Sequence, residues 1–165
     1  MKIACISDTH ISHGAGKLPK ALYDGLKCSD LILHAGDITS MDVIEELSAI
    51  APVQAVAGNM DGWDIAGKLP ESRVIEAAGL KIGLTHGGGS VSDIEERVLA
   101  RFEKDGVDCV VFGHSHRAIV KWVGRVLLVN PGSPTDKRWA PFNSYAVITA
   151  DSDGISAEII KITSL

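Results

Sequence analysis

The sequence has few cysteines, few aromatic residues and no long apolar run. Its three cysteines, Cys5, Cys28 and Cys109, are an odd number without a Cys-x-x-Cys pair. Cys5 and Cys109 lie in apolar runs, which favours buried thiols in a reducing cytoplasm. No stretch approaches the roughly 18 apolar residues of a membrane helix, and the opening MKIACISDTH shows no cleavable signal pattern. We therefore expect a cytoplasmic protein with no membrane partner.

An excess of basic charge is also absent. The 165 residues include 16 lysines and arginines against 21 aspartates and glutamates, which gives a net charge of −5. Such a chain has no global attraction for nucleic acid, so a nucleic-acid partner is not expected. To handle phosphates, it would need local counter-charge such as metal ions. The hydrophobic content of 45% is ordinary for a globular protein, and the length predicts a single domain over residues 1–165.

Short apolar runs alternate with amphipathic segments along the first two thirds of the chain. Strands are predicted at 2–7, 31–36, 53–58, 73–78, 81–87 and 107–113, and helices at 18–27, 40–50 and 90–106. Ser40 is the predicted N-cap of the second helix, and Ser92 with Glu95 forms a predicted capping box for the third. Residues 59–72 have no clear period and are predicted to be loop.

From residue 117 onward the pattern is mostly β. Hairpin turns are predicted at Gly124 and at 151–154. The alternation of β and α units therefore predicts an α/β sandwich, with a mixed sheet completed by C-terminal hairpins.

Metal-capable side chains follow five of the predicted strands. They are Asp8 and His10, then Asp37, Asn59 and His86, and finally His114 and His116. In open α/β sheets, ligands bind at the carboxyl ends of the strands, so these seven side chains could share one crevice. Each motif alone is weak evidence for a metal site. Capping of helices and turns could explain a single polar residue at a strand end, but it does not explain four histidines there.

The motifs SDTH, AGD, GNMD, LTHG and GHSH occur in that order. The series resembles the calcineurin-like metallophosphoesterase superfamily. The short length, and the VNPGS segment after GHSHR, resemble its small single-domain YfcE-like phosphodiesterase branch, to which the eukaryotic retromer small subunit is similar. The resemblance implies an α/β fold of the metallophosphatase type: a β-sandwich of mixed sheets flanked by helices, in four α/β/β/α layers.

The same resemblance implies a dinuclear metal site. Asp8, His10, Asp37 and His116 would hold one ion, and Asp37, Asn59, His86 and His114 the other, with Asp37 bridging. The implied reaction is in-line attack on phosphorus by a metal-activated hydroxide, with catalytic roles for His10, Asp37, Asn59 and His86. Oxygen and nitrogen ligands suit two divalent ions such as Mn²⁺, with Ni²⁺, Co²⁺, Fe²⁺ or Zn²⁺ as alternatives.

The predicted activity is hydrolysis of a small or nucleotide-like phosphodiester. Many relatives carry His after the Asn of the GN motif, where this chain has Met60, which favours an activated or acidic leaving group over a plain phosphomonoester. The alternatives are a phosphomonoesterase, a dinucleoside-polyphosphate hydrolase, or a non-catalytic scaffold like the retromer subunit, which has lost part of the ligand set. A homodimer is common among relatives.

Several other polar and aromatic residues have two interpretations each. Asn59 and Arg117 are candidate substrate contacts, although Arg117 could equally be a surface arginine. Asp61 either orients a neighbouring ligand or caps a turn. His34 is expected to be a hydrogen-bonded core histidine, and His13 an exposed loop residue.

Four further residues are expected to have a structural role in loops and no catalytic role. Asn130 and Ser133 are expected to shape a loop beside the site. Trp63 and Trp139 are expected to pack under loops, although either could line a substrate pocket.

Overall fold

The computed structural model describes residues 1–11, 17–151 and 154–163. His13 and two residues of the predicted 151–154 turn lie outside these ranges. Within them, the chain forms ten strands and four helices. In chain order these are β1 (Lys2–Ile6), α1 (Lys20–Leu26), β2 (Leu31–His34), α2 (Met41–Ser48), β3 (Val53–Ala55), α3 (Trp63–Ala66), β4 (Ser72–Ala77), β5 (Leu80–Thr85), α4 (Ile94–Arg101), β6 (Cys109–Val111), β7 (Ile119–Val123), β8 (Val126–Asn130), β9 (Asn143–Asp151) and β10 (Gly154–Ile162).

The strands form two mixed sheets of five strands each. The first has the order β10-β9-β1-β2-β3, and the second has the order β4-β5-β6-β8-β7. In the first sheet β1, β2 and β3 run parallel, while β9 and β10 are antiparallel additions at one side. In the second, β5, β6 and β8 run parallel, and β4 and β7 flank them antiparallel. The parallel strands of each sheet therefore end at a common edge.

Alternating side chains on the strands separate three apolar cores. Ile3 and Cys5 face the second sheet and join the core between the sheets. Ala4 and Ile6 point the other way, into the core formed with α1 and α2. On the outer face of the second sheet, α4 packs its own core. This period-2 alternation produces the α/β/β/α layers implied by the family resemblance, and the two-sheet fold is confirmed.

The residue pattern predicted an α/β sandwich with a mixed sheet completed by C-terminal hairpins, and the α/β class is confirmed. The pattern did not assign the hairpins to sheets: β7–β8 belongs to the second sheet and β9–β10 to the first. Strand pairing is a long-range contact, so local periodicity could not assign each hairpin to a sheet. The predicted burial of Cys5 and Cys109 is confirmed.

Two local predictions also need correction. The segment 59–72 contains the single helical turn α3, which is too short to show a helical period. The third predicted helix is shorter than 90–106, begins after Asp93 and has no side-chain cap. The Ser92 hydroxyl instead pairs with the hydroxyl of Ser90, so the predicted capping box does not form. By contrast, Ser40 caps α2 as predicted, accepting the Asp42 N–H at 3.2 Å.

None of the helices in the described ranges is long and apolar enough to cross a lipid bilayer.

Candidate metal centre

The seven predicted strand-end residues lie in loops that follow β1, β2, β3, β5 and β6. Five of them have left-handed backbone conformations, namely Asp8, His10, Asp37, His114 and His116. A positive φ is uncommon for residues other than glycine and is retained where the surrounding structure imposes it. In these loops, it turns successive polar side chains toward one crevice between the ends of the two sheets.

Asp8, His10 and His116 form one group of potential metal ligands. The Nε2 atoms of His10 and His116 are 3.2 Å apart, and His116 Nε2 is 3.4 Å from Asp8 Oδ1. Two nitrogens that each lie about 2.1 Å from one ion, at neighbouring coordination positions, are about 3 Å apart. The observed spacing therefore fits a shared cation.

Asp8, Asp37 and His86 form a second group. His86 Nε2 lies 3.3 Å from Asp37 Oδ2 and 4.0 Å from Asp8 Oδ1. The Asn59 side-chain oxygen lies 3.0 Å from His86 Nε2 and 2.9 Å from His114 Nδ1. All seven predicted residues thus come together, and Asp8 belongs to both groups.

The hydrogen bonds of His86 indicate that its second nitrogen faces a position for a cation. Its Nδ1–H donates to the Ala35 carbonyl at 2.8 Å, which leaves Nε2 as the free nitrogen of a neutral ring. That nitrogen points at oxygens of Asp37 and Asn59, both of which are acceptors. A bound cation, or a proton on the ring, would satisfy all three groups. The donor set therefore fits a divalent metal.

His114 is oriented in the same way by a carbonyl. Its Nε2–H donates to the Gly89 carbonyl at 2.8 Å, and its Nδ1 faces Asn59. The Gly89 segment is in turn held by Arg97, whose guanidinium donates to the carbonyls of Gly88 and Ser90. Outer partners of this kind fix the tautomer of a metal-binding histidine.

The titration behaviour of the site shows how closely its charges interact. Burial lowers the pKa of His86, but the carboxylates of Asp37 and Asp8 more than offset this, so the pKa lies above its usual range. Burial raises the pKa of Asp37, but His86, the Met60 N–H and His10 together more than offset this effect and lower the pKa. The pKa of His116 is raised in the same way, because Asp8 and Asp136 oppose the lowering effect of its burial.

Asp61 connects two of the ligand-bearing loops. Its Oδ1 accepts the backbone N–H groups of Ile38 and Thr39, and its Oδ2 accepts that of Gly58, each at 2.7 Å. Gly58 precedes Asn59, and Ile38 follows Asp37. Asp61 therefore acts on the site by fixing its backbone, which agrees with both interpretations made from the sequence.

The NPGS segment, which begins at the last residue of β8, holds two further loops of the site. Asn130 donates to the Gly113 carbonyl at 2.8 Å, and the Ser133 hydroxyl donates to the Asp8 carbonyl at 2.7 Å. Both residues are fully buried. They shape the loops beside the site, as expected from the sequence, and do not reach into the ligand cluster.

A close approach of two loops, and not a positive φ, requires glycine at position 113. The sharp turns occur at His114 and His116, which have positive φ, whereas Gly113 does not. A Cβ on Gly113 would lie 1.9 Å from Ser7 Oγ and 2.8 Å from Asp8 Oδ2. The glycine therefore allows the GHSH loop to approach the DTH loop.

Two contributors were missed by sequence reasoning. Asp136 Oδ2 lies 3.7 Å from His116 Nδ1, a buried nitrogen with no hydrogen-bond partner among the described residues. Arg97 holds the glycine loop, residues 87–90, beside His114. Asp136 comes 20 positions after His116, and Arg97 is one of several charged residues on α4, so no local motif marked either one.

Three further predictions have clear outcomes. His34 is a buried core histidine, as expected: its Nδ1 accepts the Gly36 N–H, its Nε2 lies 3.2 Å from Thr9 Oγ1, and burial lowers its pKa to about 3. The packing of Trp63 and Trp139 was predicted wrongly, since they are 95% and 68% exposed. On α3 the buried position is taken by Ile65 instead.

Arg117 is not brought into the cluster. Its side chain is exposed, and within residues 1–11, 17–151 and 154–163 its guanidinium makes no hydrogen bond or ion pair. Its backbone N–H donates to the Ser115 hydroxyl at 3.3 Å. A role for Arg117 in substrate binding stays a prediction.

Comparison with known proteins agrees with the fold and the motif series. Residues 1–153 match the model of the calcineurin-like phosphoesterase superfamily domain. A probable metallophosphoesterase from Methanothermobacter thermautotrophicus is 38% identical over 162 residues, which cover 98% of this chain and 92% of that protein. A phosphodiesterase from Methanocaldococcus jannaschii is 30% identical over 145 residues, or 80% of this chain and 83% of that protein.

The fold also matches solved structures. A single mutant of Vps29 from Entamoeba histolytica superposes with a TM-score of 0.78 at 23% identity, over 99% of this chain and 100% of that one. The wild-type Vps29 of that organism was solved in complex with Zn²⁺. At this identity the structures support the fold alone, whereas the family follows from the sequence matches. The chain belongs to the calcineurin-like phosphoesterase superfamily.

Proposed function

We propose that the protein is a metal-dependent phosphodiesterase acting on a small or nucleotide-like substrate. The observation that carries the proposal is the convergence of four histidines, two aspartates and an asparagine from five separate loops, with Asp8 and Asp37 between the two histidine pairs. The relative from Methanocaldococcus jannaschii that is named a phosphodiesterase supports the reaction class.

Two divalent ions fit the proposed site, with Mn²⁺ as the first candidate. Asp8, His10 and His116 would hold one ion through Oδ1 and two Nε2 atoms, with Asp37 Oδ2 3.7 Å from His10 Nε2. Asp37, Asn59, His86 and His114 would hold the other. Bound divalent ions supply Lewis-acid stabilisation of phosphate oxygens and lower the pKa of a bound water.

The rest of the site consists of groups that hold and orient these ligands. His86 donates its Nδ1–H to Ala35 and His114 donates its Nε2–H to Gly89, so each ring presents its other nitrogen to the crevice. The Met60 N–H donates to Asp37 Oδ1 at 2.8 Å, which leaves Oδ2 of that carboxylate facing the histidines. These groups keep the ligand atoms in place before substrate arrives.

Met60 supports a diester with a good leaving group as the substrate. Met60 is 61% exposed, and its thioether has no proton to donate to a leaving oxygen. A leaving group that departs without protonation, such as an acidic phenol or a phosphate, suits this position.

The test is hydrolysis by metal-stripped protein after addition of Mn²⁺, Ni²⁺, Co²⁺, Zn²⁺ or Mg²⁺ one at a time. We expect metal-dependent cleavage of bis-p-nitrophenyl phosphate that exceeds cleavage of p-nitrophenyl phosphate. Preference for the monoester would replace the proposal by a phosphomonoesterase. Cleavage that is equally fast in metal-free protein would contradict a metal-dependent reaction.

A scaffold is the second candidate, and exposed aromatic residues favour it. Trp63, Trp122 and Trp139 are all more than half exposed, and such residues are enriched at protein interfaces. Metal binding without turnover of any tested ester would favour this alternative.

A further inference from the structure

We propose that a cavity beside Asn59 and His86 binds the nucleoside part of the substrate, which makes the substrate a nucleotide diester. This inference rests on the proposed phosphodiesterase function. The cavity has a volume of about 320 Å³ and lies between the loop after β3, the residues of α3, and the glycine loop after β5. Asn59 and His86, which would hold the second proposed ion, are among the residues that line it.

The walls of the cavity suit a planar and mostly apolar group. Ala57, Ala66 and Leu69 supply apolar side chains, and Gly87 and Gly88 leave part of the wall without side chains. The volume lies at the lower end of the roughly 300–1,000 Å³ range of ligand pockets. A group of nucleoside size therefore fits better than a long chain or a polymer.

The exposed rim of the cavity carries a donor and an acceptor side by side. Arg101 and Glu71 both line the cavity, and their nearest atoms, Nη2 and Oε2, are 3.3 Å apart. The two side chains are 42% and 87% exposed, so both can turn toward a bound group. The edges of nucleobases present acceptors and donors together, and arginine and carboxylate side chains pair with them.

The Arg101–Glu71 pair also disfavours a second phosphate at the rim. An anion there would have to compete with the Glu71 carboxylate for the guanidinium. Within the described residues, no other lysine or arginine lines this cavity. A neutral base with a polar edge is the better match to a rim whose two charges cancel.

Trp63 lies on the same helical turn as Ala66, one of the residues that line the cavity. Ala66 lines the cavity three residues after Trp63 on α3, and residues three apart lie on neighbouring positions of one helical face. The indole is 95% exposed. Exposed aromatic side chains of this kind stack on bases in proteins that bind nucleotides.

The experiment is calorimetric titration of Mn²⁺-loaded protein with nucleoside 5′-monophosphates and with methyl phosphate. The two kinds of ligand share the phosphate and differ only in the nucleoside, so the ratio of their Kd values reports the cavity alone. We expect at least one nucleotide to bind 10-fold or more tightly than methyl phosphate. Binding of every nucleotide no tighter than that of methyl phosphate would overturn the inference.

Variants then tie the preference to this cavity. Ala66→Phe fills the cavity from an exposed position and should abolish the preference while leaving methyl phosphate binding unchanged. The matched control is Ala49→Phe, which changes an exposed alanine after α2 and should keep the preference. Arg101→Gln and Glu71→Gln should each weaken nucleotide binding about 5- to 10-fold, as expected for loss of one hydrogen bond. A preference that survives in Ala66→Phe would refute the assignment.

These measurements separate the inference from the proposed function. Cleavage of bis-p-nitrophenyl phosphate without nucleotide preference would leave the phosphodiesterase standing and refute the nucleoside cavity. Nucleotide binding without cleavage of any ester would support the cavity and refute the enzyme.

Discussion

Removal of the Asp61 carboxylate should weaken the site without changing a single proposed ligand. Asp61 joins the loop that carries Asp37 to the loop that carries Asn59. Oδ1 accepts two successive N–H groups after Asp37, and Oδ2 accepts the Gly58 N–H, all at 2.7 Å. Both loops depend on one side chain, so a loss there should appear in stability and in metal affinity together.

The expected size follows from the number of hydrogen bonds lost. A hydrogen bond to a charged group contributes about 1.5–3 kcal/mol, and the partial exposure of Asp61 favours the lower end. Asp61→Asn keeps one oxygen for the two N–H groups after Asp37, but it turns an NH₂ group toward the Gly58 N–H. We expect a loss of about 2 kcal/mol for this variant and about 3–5 kcal/mol for Asp61→Ala, which loses all three bonds.

The assay combines urea unfolding in EDTA with calorimetric Mn²⁺ titration of the folded protein. Asp64→Asn is the matched control, because Asp64 is exposed on α3 and the substitution removes the same charge from the same segment. Its free energy of unfolding should change by no more than about 0.5 kcal/mol. If Asp61→Asn matched Asp64→Asn in both measurements, the loop-fixing role of Asp61 would be refuted.

Three further predictions test other parts of the site. His116→Ala should lower the number of Mn²⁺ ions in equilibrium dialysis from two toward one and abolish diester hydrolysis; unchanged stoichiometry would remove His116 from the ligand set. Gly113→Ala should cost about 1–3 kcal/mol by overpacking and weaken Mn²⁺ binding, because its Cβ would meet Asp8, whereas Gly79→Ala faces open space and should bind Mn²⁺ normally. Burial lowers the pKa of His34 to about 3, so between about pH 6.5 and that value only the unfolded chain binds its proton. The wild type should therefore lose about 2 kcal/mol more stability than His34→Gln between pH 7.5 and 5 in urea titrations, and equal losses would contradict a neutral buried His34.

The polar strand ends were predictable because they depend on local pattern. Apolar runs of six or seven residues marked the strands, and the carboxyl ends of parallel strands meet at one edge. That reasoning correctly brought Asp8, Asp37, His86 and their neighbours together. It failed for α3, which is a single turn, and for the Ser92 capping box, because Ser90 competes for the Ser92 hydroxyl.

What the chain determines by itself is therefore the order of most strands and helices and the set of residues able to bind a metal. The tertiary structure alone decided which hairpin joins which sheet, that Asp8 lies between the two histidine pairs, and that Asp61, Asp136 and Arg97 support the site. It also decided that a cavity opens beside His86. These features arise from contacts between residues tens of positions apart, whose geometry depends on how two sheets pack together, and local periodicity carries no record of that packing.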